Sequence, residues 1–188
     1  MHRLVRALSV ASIVFCGAIF GFFYAWVCST MWGLDRADPR IAIEAMQAMN
    51  ASLRNAVFFP AFFLTPVVLL AAAAAARLGG EGAAAFWFLA AAGIYLVFGL
   101  APTMVVNVPM NEALAGTPVP ASRESAQVVW ISYSERWQFW NQLRTVAAGI
   151  ALALAGIGAT RLRLPRPTSA LPAGGNGKRQ RRNVPPGL

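Results

Sequence analysis

Four residues near the C-terminal end of the chain have types and spacings that could do chemistry. Tyr133, Trp137, Asn141 and Arg144 occur at positions i, i+4, i+8 and i+11, which places them on one face of a helix. A guanidinium beside an amide can hold a negatively charged group. Alternatively, the aromatic residues form a belt at the membrane surface with Arg144 snorkelling. However, polar groups at membrane depth usually face the bundle interior and mark a function. The residues flanking the stripe are Trp130 and Trp140.

Asn50 is a second polar candidate. Asp38-Pro39 is a favourable helix start, because an acidic N-cap is followed by proline at the first helical position. A helix over residues 41–53 places Asn50 on the same face as Ile43. An interfacial helix explains the apolar residues of this face, but a buried amide requires a specific hydrogen bond.

Two further asparagines surround a proline. Asn107 and Asn111 are spaced i, i+4, with Pro109 between them and Glu112 following. Proline in a helix removes a backbone donor and frees a carbonyl. We therefore expect the helix to break here, with the two asparagine side chains as partners for the freed backbone groups.

The composition is that of an integral membrane protein. Hydrophobic residues make up 57% of the 188 residues and charged residues only 12%, whereas soluble domains carry about 25% charged residues. Seven of the sixteen basic residues lie at 161–188, where there is no acidic residue. The net charge of +9 therefore belongs mainly to the tail, and a basic face for nucleic acid is excluded.

The apolar runs predict an all-α fold, an integral membrane four-helix bundle formed by residues 1–160. The expected spans are about 7–32, 55–76, 83–106 and 141–160, with Gly79-Gly80 in a tight turn. Frequent small residues allow close helix packing. The four apolar runs contain no acid or base, which disfavours a proton-coupled transporter.

Basic residues predict the orientation. Arginines precede the first span and follow the fourth, so both termini are expected to be cytoplasmic in a multi-pass protein of the cell inner membrane. The connections 33–54 and 107–144 then form an outer cap. Residues 161–188 are expected to be a disordered basic cytoplasmic tail, because they are rich in proline, glycine and arginine.

The chain resembles the anthrone oxygenase family of small four-helix membrane proteins. The segments that carry the resemblance are residues 21–25, 45–50, 107–114 and 137–145, in this order. The resemblance implies oxidation of an anthrone to an anthraquinone by dioxygen, without a metal, flavin or other cofactor. Members often carry histidine where this chain has Gln142, and the only histidine here is His2, on the opposite side of the membrane. We therefore exclude a histidine base or a histidine-ligated metal from the outer site.

Within this resemblance each candidate residue has an expected role. Arg144 with Asn141 would hold the enolate oxygen, and Glu112, Glu135 and Tyr133 are the candidates for the base. The residues expected to bind the flat substrate are Trp137, Trp140, Trp130, Asn50, Asn107 and Asn111. The expected partners are membrane lipid and a lipophilic aromatic small molecule, and the oligomeric state stays open.

A non-catalytic membrane protein is the alternative hypothesis. Its outer loops would bind a lipid, a quinone or a partner subunit, and the asparagines and Arg144 would tie those loops to the bundle. The melting temperature distinguishes the two hypotheses, because an unpaired buried polar group costs about 1–3 kcal/mol. Substitutions in a structural network would lower it, whereas substitutions in a binding site would leave it near normal.

Overall fold

The computed structural model describes residues 1–163, and these residues form helices and no strand. Four helices are long and apolar enough to cross a membrane, which confirms the predicted all-α membrane bundle. A shorter helix, α2, lies between the first two of them. The helices are α1 (His2–Arg36), α2 (Pro39–Ser52), α3 (Phe58–Leu78), α4 (Gly82–Ala115) and α5 (Arg123–Thr160).

Met1 and Arg163, the first and last described residues, lie at the same end of the bundle. The carbon Cγ of Met1 lies 3.4 Å from a Cβ built on Gly79, and the adjacent Gly80 has a φ of +78°, which suits glycine in the predicted turn. Glu81 is buried beside this turn, 3.8 Å from Arg163 at the C-terminal end of α5. The predicted tail lies outside the described residues beyond Arg163, and the cytoplasmic position of this end stays a prediction.

The prediction that the helix breaks at Pro109 is wrong. A π-helical turn at Thr103–Asn107 passes directly into the α-helical segment Val108–Ala115. The π-helical turn before Pro109 therefore accommodates its missing N–H without a break in α4. Neither Asn107 nor Asn111 binds a freed carbonyl. Residues 55–57, which were expected at the start of the second span, form a turn before α3.

Small residues allow close helix packing in the half of the bundle that contains Met1 and the Gly79-Gly80 turn. A Cβ on Gly158 would lie 3.2 Å from the Phe88 ring, and a Cβ on Gly149 would lie 3.1 Å from the Phe20 ring. Both glycines lie on α5 and allow a neighbouring helix to approach closely. The fully buried alanines of this region are Ala72, Ala76, Ala84, Ala91, Ala92, Ala151 and Ala155.

Helix α2 covers the opposite end of the bundle. Ile43 and Met46 are completely buried on its inner face. Asp38 caps the helix by accepting the Arg40 N–H at 3.0 Å, and hydrogen bonds from Arg40 hold the pKa of Asp38 at about 2, below its usual range. The Arg40 guanidinium also donates to the carbonyl of Ala121 at 3.3 Å. The two connections that were expected to form an outer cap therefore contact each other.

A tyrosine compensates for the proline inside α3. Pro66 has no N–H, so it cannot bond to the carbonyl of Phe62 four residues earlier. The buried hydroxyl of Tyr95, on α4, donates to this carbonyl at 2.8 Å. Because unpaired backbone groups are costly in a membrane interior, this bond satisfies an acceptor and joins two spans.

We expect Tyr95→Phe to lower the free energy of unfolding by about 1–3 kcal/mol, because it leaves the Phe62 carbonyl unpaired. In a Pro66→Ala background residue 66 has a backbone N–H that can bond to the Phe62 carbonyl. Tyr95→Phe should then lower the free energy of unfolding by less. Thermal unfolding of the four proteins in one detergent measures this coupling as a double-mutant cycle. Equal costs in both backgrounds would show that the hydroxyl does not replace the missing N–H.

Candidate functional site

A cavity of about 550 Å³ lies in the half of the bundle that α2 covers. All five helices contribute to its walls, which are largely apolar and aromatic with polar groups at a few positions, as in many small-molecule sites. The aromatic wall consists of Phe22, Phe23, Trp26, Phe58, Phe59, Phe62, Phe63 and Trp137. The polar lining consists of Gln47, Asn50, Arg54, Thr103, Asn107, Asn111, Glu112, Asn141 and Arg144.

The guanidinium of Arg144 lies among aromatic rings and is only 4% exposed. It donates to the hydroxyl of Thr103 at 3.1 Å and to Oδ1 of Asn141 at 3.0 Å. Its carbon Cζ lies 4.8 Å from the ring centre of Phe23 and 5.4 Å from that of Trp137. These hydrogen bonds and cation–π contacts hold the charge at the inner end of the cavity.

The two acceptors of Arg144 are themselves fixed. Asn141 donates through Nδ2 to the carbonyl of Phe23 at 3.2 Å, so its Oδ1 must face Arg144. Thr103 donates its hydroxyl hydrogen to the carbonyl of Gly99 at 2.8 Å, so a lone pair faces Arg144. Phe23 and Thr103 both lie close to π-helical turns, which often occur at functional sites. The backbone of α1 and α4 therefore orients the guanidinium.

The positive charge of Arg144 has no carboxylate partner among residues 1–163. The ion pairs found in residues 1–163 join Arg40 to Asp38, Arg54 to Glu112 and Arg163 to Glu81. The atom Nε of Arg144 is buried and has no hydrogen-bond partner among these residues. A buried charge without a counterion is costly, so the inner end of the cavity favours an anionic ligand.

Asn107 lines the same cavity and has no hydrogen-bond partner in the described part of the chain. The residue is 1% exposed, and neither its Oδ1 nor its Nδ2 hydrogen-bonds to any described residue. Buried amides are normally paired with protein or water. Asn107 therefore offers a ligand the donor group Nδ2 and the acceptor atom Oδ1.

Away from Arg144, Tyr133 takes part in a chain of hydrogen bonds that orients two asparagines of the lining. Oδ1 of Asn111 accepts from the Trp137 indole at 3.0 Å and from the Tyr133 hydroxyl at 2.8 Å. The Tyr133 oxygen in turn accepts from Nδ2 of Asn50 at 3.3 Å. An indole N–H can only donate, so the direction of the whole chain is set. It leaves Nδ2 of Asn111 as a free donor and Oδ1 of Asn50 as a free acceptor.

Gln47 adds a second oriented acceptor. Its Nε2 donates to the carbonyls of Leu114 and Thr117 at 2.8 and 2.9 Å. Carbonyls only accept, so Oε1 is the free atom of this amide. Gln47 was not among the residues predicted for the site, although it lies within the segment 45–50 that carries the family resemblance.

Some predicted site residues lie outside the cavity lining. Trp130 donates its indole N–H to Asp35 at 3.0 Å, and Trp140 packs against Phe139 with ring centres 5.6 Å apart. Glu135 is exposed on α5 and does not line the cavity. The slot expected from three tryptophans is therefore formed by Trp137 together with rings from α1 and α3.

The remaining candidates occupy separate positions around the cavity. Tyr133 contacts the lining residues Asn50 and Asn111 from behind. Glu112 and Arg54 line the solvent-exposed end of the cavity, which we call its mouth. They form an exposed ion pair at 3.3 Å. In residues 1–163 no group of three or more His, Cys, Asp or Glu side chains is placed to hold a metal ion.

A protein-family model described as anthrone oxygenase matches residues 49–154, more than half of the chain. The chain belongs to the anthrone oxygenase family. The matched segment begins in α2 and ends in α5, so it includes Arg144 and every asparagine of the cavity lining. No curated protein and no solved structure was found to match the chain.

Proposed function

We propose that this member of the anthrone oxygenase family is a membrane-embedded oxygenase. Its substrate would be a lipophilic anthrone or a related polycyclic phenol, which dioxygen converts to a quinone. The observation that carries the proposal is the buried guanidinium of Arg144, which has no carboxylate partner among residues 1–163 and lies in a cavity lined by aromatic rings. Such a cavity suits an aromatic anion, since the rings contact its faces and the cation attracts its oxygen.

Arg144 would act by stabilising the ionised substrate. The methylene carbon of an anthrone is acidic, because loss of its proton gives an extended aromatic enolate. A nearby positive charge lowers the pKa of such a group. Asn141 and Thr103 hold the guanidinium in place before substrate binds, so little reorganisation is needed when the negative charge forms.

The reaction balances with dioxygen as the oxidant. The methylene carbon loses a proton, and the resulting carbanion transfers electrons to dioxygen as a carbon–oxygen bond forms. Protonation gives a hydroperoxide. Loss of the second proton from the same carbon breaks the oxygen–oxygen bond, which leaves a carbonyl and releases water. One methylene and one dioxygen thus become one carbonyl and one water.

The group that accepts the substrate proton is better placed at the mouth of the cavity than in its interior. Glu112 is the only one of the three proposed bases that lines the cavity, and it lies at the exposed rim. The Tyr133 hydroxyl already donates to Asn111 and accepts from Asn50. We propose that Arg144 acidifies the substrate and that the proton leaves to water or to Glu112 at the mouth.

Oxygen uptake by the full chain in lipid nanodiscs, supplied with anthrone, tests this function. We expect uptake above that of empty nanodiscs, with one dioxygen consumed per anthraquinone formed. Absence of uptake above empty nanodiscs would contradict an oxygenase acting on anthrone. If anthraquinone still quenched tryptophan fluorescence in that case, the non-catalytic hypothesis, in which the cavity binds a quinone or lipid, would be favoured.

A further inference from the structure

The cavity has a gap on one side, between α3 and α4. These helices pack against each other mainly through the part of α4 that precedes Ala101. Further along, residues 103–115 of α4 pack against α5 and α2. The outer part of α3 and the outer part of α4 therefore enclose a gap, and the aromatic cavity lies behind it.

Apolar side chains form the rim of this gap. Phe59, Phe63 and Met104 line the cavity and are 43%, 40% and 43% exposed. The exposed face of α3 continues from Phe63 to Val67 one turn further along, and that of α4 includes Val105 beside Met104. Exposed apolar faces of membrane-spanning helices contact lipid. The rim is thus continuous with the lipid-facing surface.

Charged side chains cross the gap at its outermost end. Nη2 of Arg54, in the turn between α2 and α3, lies 3.3 Å from Oε1 of Glu112 on α4. Both side chains are largely exposed, at 69% and 60%. The gap is therefore apolar beside the lipid-facing surface and bridged by an ion pair towards the aqueous end.

We propose that the gap bordered by Phe59, Phe63 and Met104 is a lateral entrance, through which an aromatic ligand dissolved in the bilayer reaches the cavity. The proposed function supplies only the identity of this ligand. A lipophilic molecule concentrates in the bilayer, and the apolar rim lets it enter without exposure to water. The ion pair between Arg54 and Glu112 borders the route from the aqueous side.

An entrance has a kinetic signature that a binding residue lacks. Narrowing an entrance slows association and dissociation by the same factor and leaves Kd unchanged, because the bound state is not altered. We expect Met104→Trp to slow both rates for anthraquinone by about tenfold, at the low end of the range seen among variants of one interface. Stopped-flow quenching of tryptophan fluorescence in lipid nanodiscs measures both rates.

Val105→Trp is the matched control. Val105 is adjacent to Met104 and 71% exposed but does not line the cavity, so the same added indole should leave both rates unchanged. Glu112→Gln removes the ion pair that borders the aqueous route, and anthraquinone should associate no faster with this variant than with the wild-type chain. Equal slowing by the two tryptophan variants would overturn the entrance. A raised Kd with unchanged association in Met104→Trp, or faster association in Glu112→Gln, would also overturn it.

The binding rates separate this inference from the proposed function. If Met104→Trp slowed anthraquinone association and dissociation as expected but the wild-type chain showed no oxygen uptake with anthrone, the entrance would be supported and the oxygenase refuted. Oxygen uptake with unchanged rates in Met104→Trp would do the reverse. If anthraquinone did not bind, the entrance would be overturned for this ligand class, whereas oxygen uptake with anthrone would still decide the function.

Discussion

Arg144→Ala is expected to lower kcat/KM for anthrone oxidation by about 100-fold or more, the effect of removing a preorganised oxyanion donor. In the proposed function the guanidinium of Arg144 stabilises the developing enolate, and no other lysine or arginine among residues 1–163 reaches the inner end of the lining. Arg54, the other arginine of the lining, lies at the mouth and is paired with Glu112. The loss should therefore appear mainly as slower ionisation of bound substrate.

Two further variants isolate this role. Arg144→Lys keeps the positive charge but loses the planar fork that contacts Thr103 and Asn141, so an intermediate rate is expected. Arg136→Ala removes an exposed arginine from the same helix and should leave the rate unchanged. Oxygen uptake at several anthrone concentrations gives kcat and KM for each protein. Wild-type uptake in a folded Arg144→Ala protein would refute the assigned role.

The polar stripe on α5 was predictable because one helix carries it. Tyr133, Trp137, Asn141 and Arg144 follow helical spacing, and all four are buried in the structure. Spacing along one helix fixes which residues share a face regardless of the neighbouring helices. The number of spans was also predictable, since the apolar runs lie on four helices that are each long and apolar enough to cross a membrane.

The opposite wall could not be predicted from spacing. Phe22 and Phe62 belong to helices that are apolar almost all round, so the sequence does not show which side faces the cavity. Trp130 looked equivalent to Trp137, but Asp35 on α1 accepts its N–H at 3.0 Å. That bond depends on how α1 and α5 are placed. Residue type therefore indicated which residues were candidates for the site. Only the contacts between helices showed which of them line the cavity and which stabilise the fold.

Asn107→Leu is expected to stabilise the ligand-free protein and to impair its activity. Both polar atoms of Asn107 are buried without a partner among residues 1–163, and such a group costs about 1–3 kcal/mol. Leucine has a similar size and removes this cost, so the melting temperature should rise. If the amide contacts substrate, turnover should fall about tenfold, because one hydrogen bond of this strength is lost. Thermal unfolding and oxygen uptake on the same preparation measure both effects.

Asn141→Leu is the matched comparison, because it removes the same amide from a paired position. The substitution removes the amide donor to the Phe23 carbonyl, which keeps only the backbone N–H of Trp26, and leaves one guanidinium nitrogen of Arg144 without its partner. Both stability and turnover should therefore fall. A structural network that ties the outer loops to the bundle predicts lower melting temperatures for both variants. A ligand site at Asn107 predicts opposite shifts. A lower melting temperature for Asn107→Leu would therefore show that its amide stabilises the fold, and Asn107 would then lose its place in the proposed site.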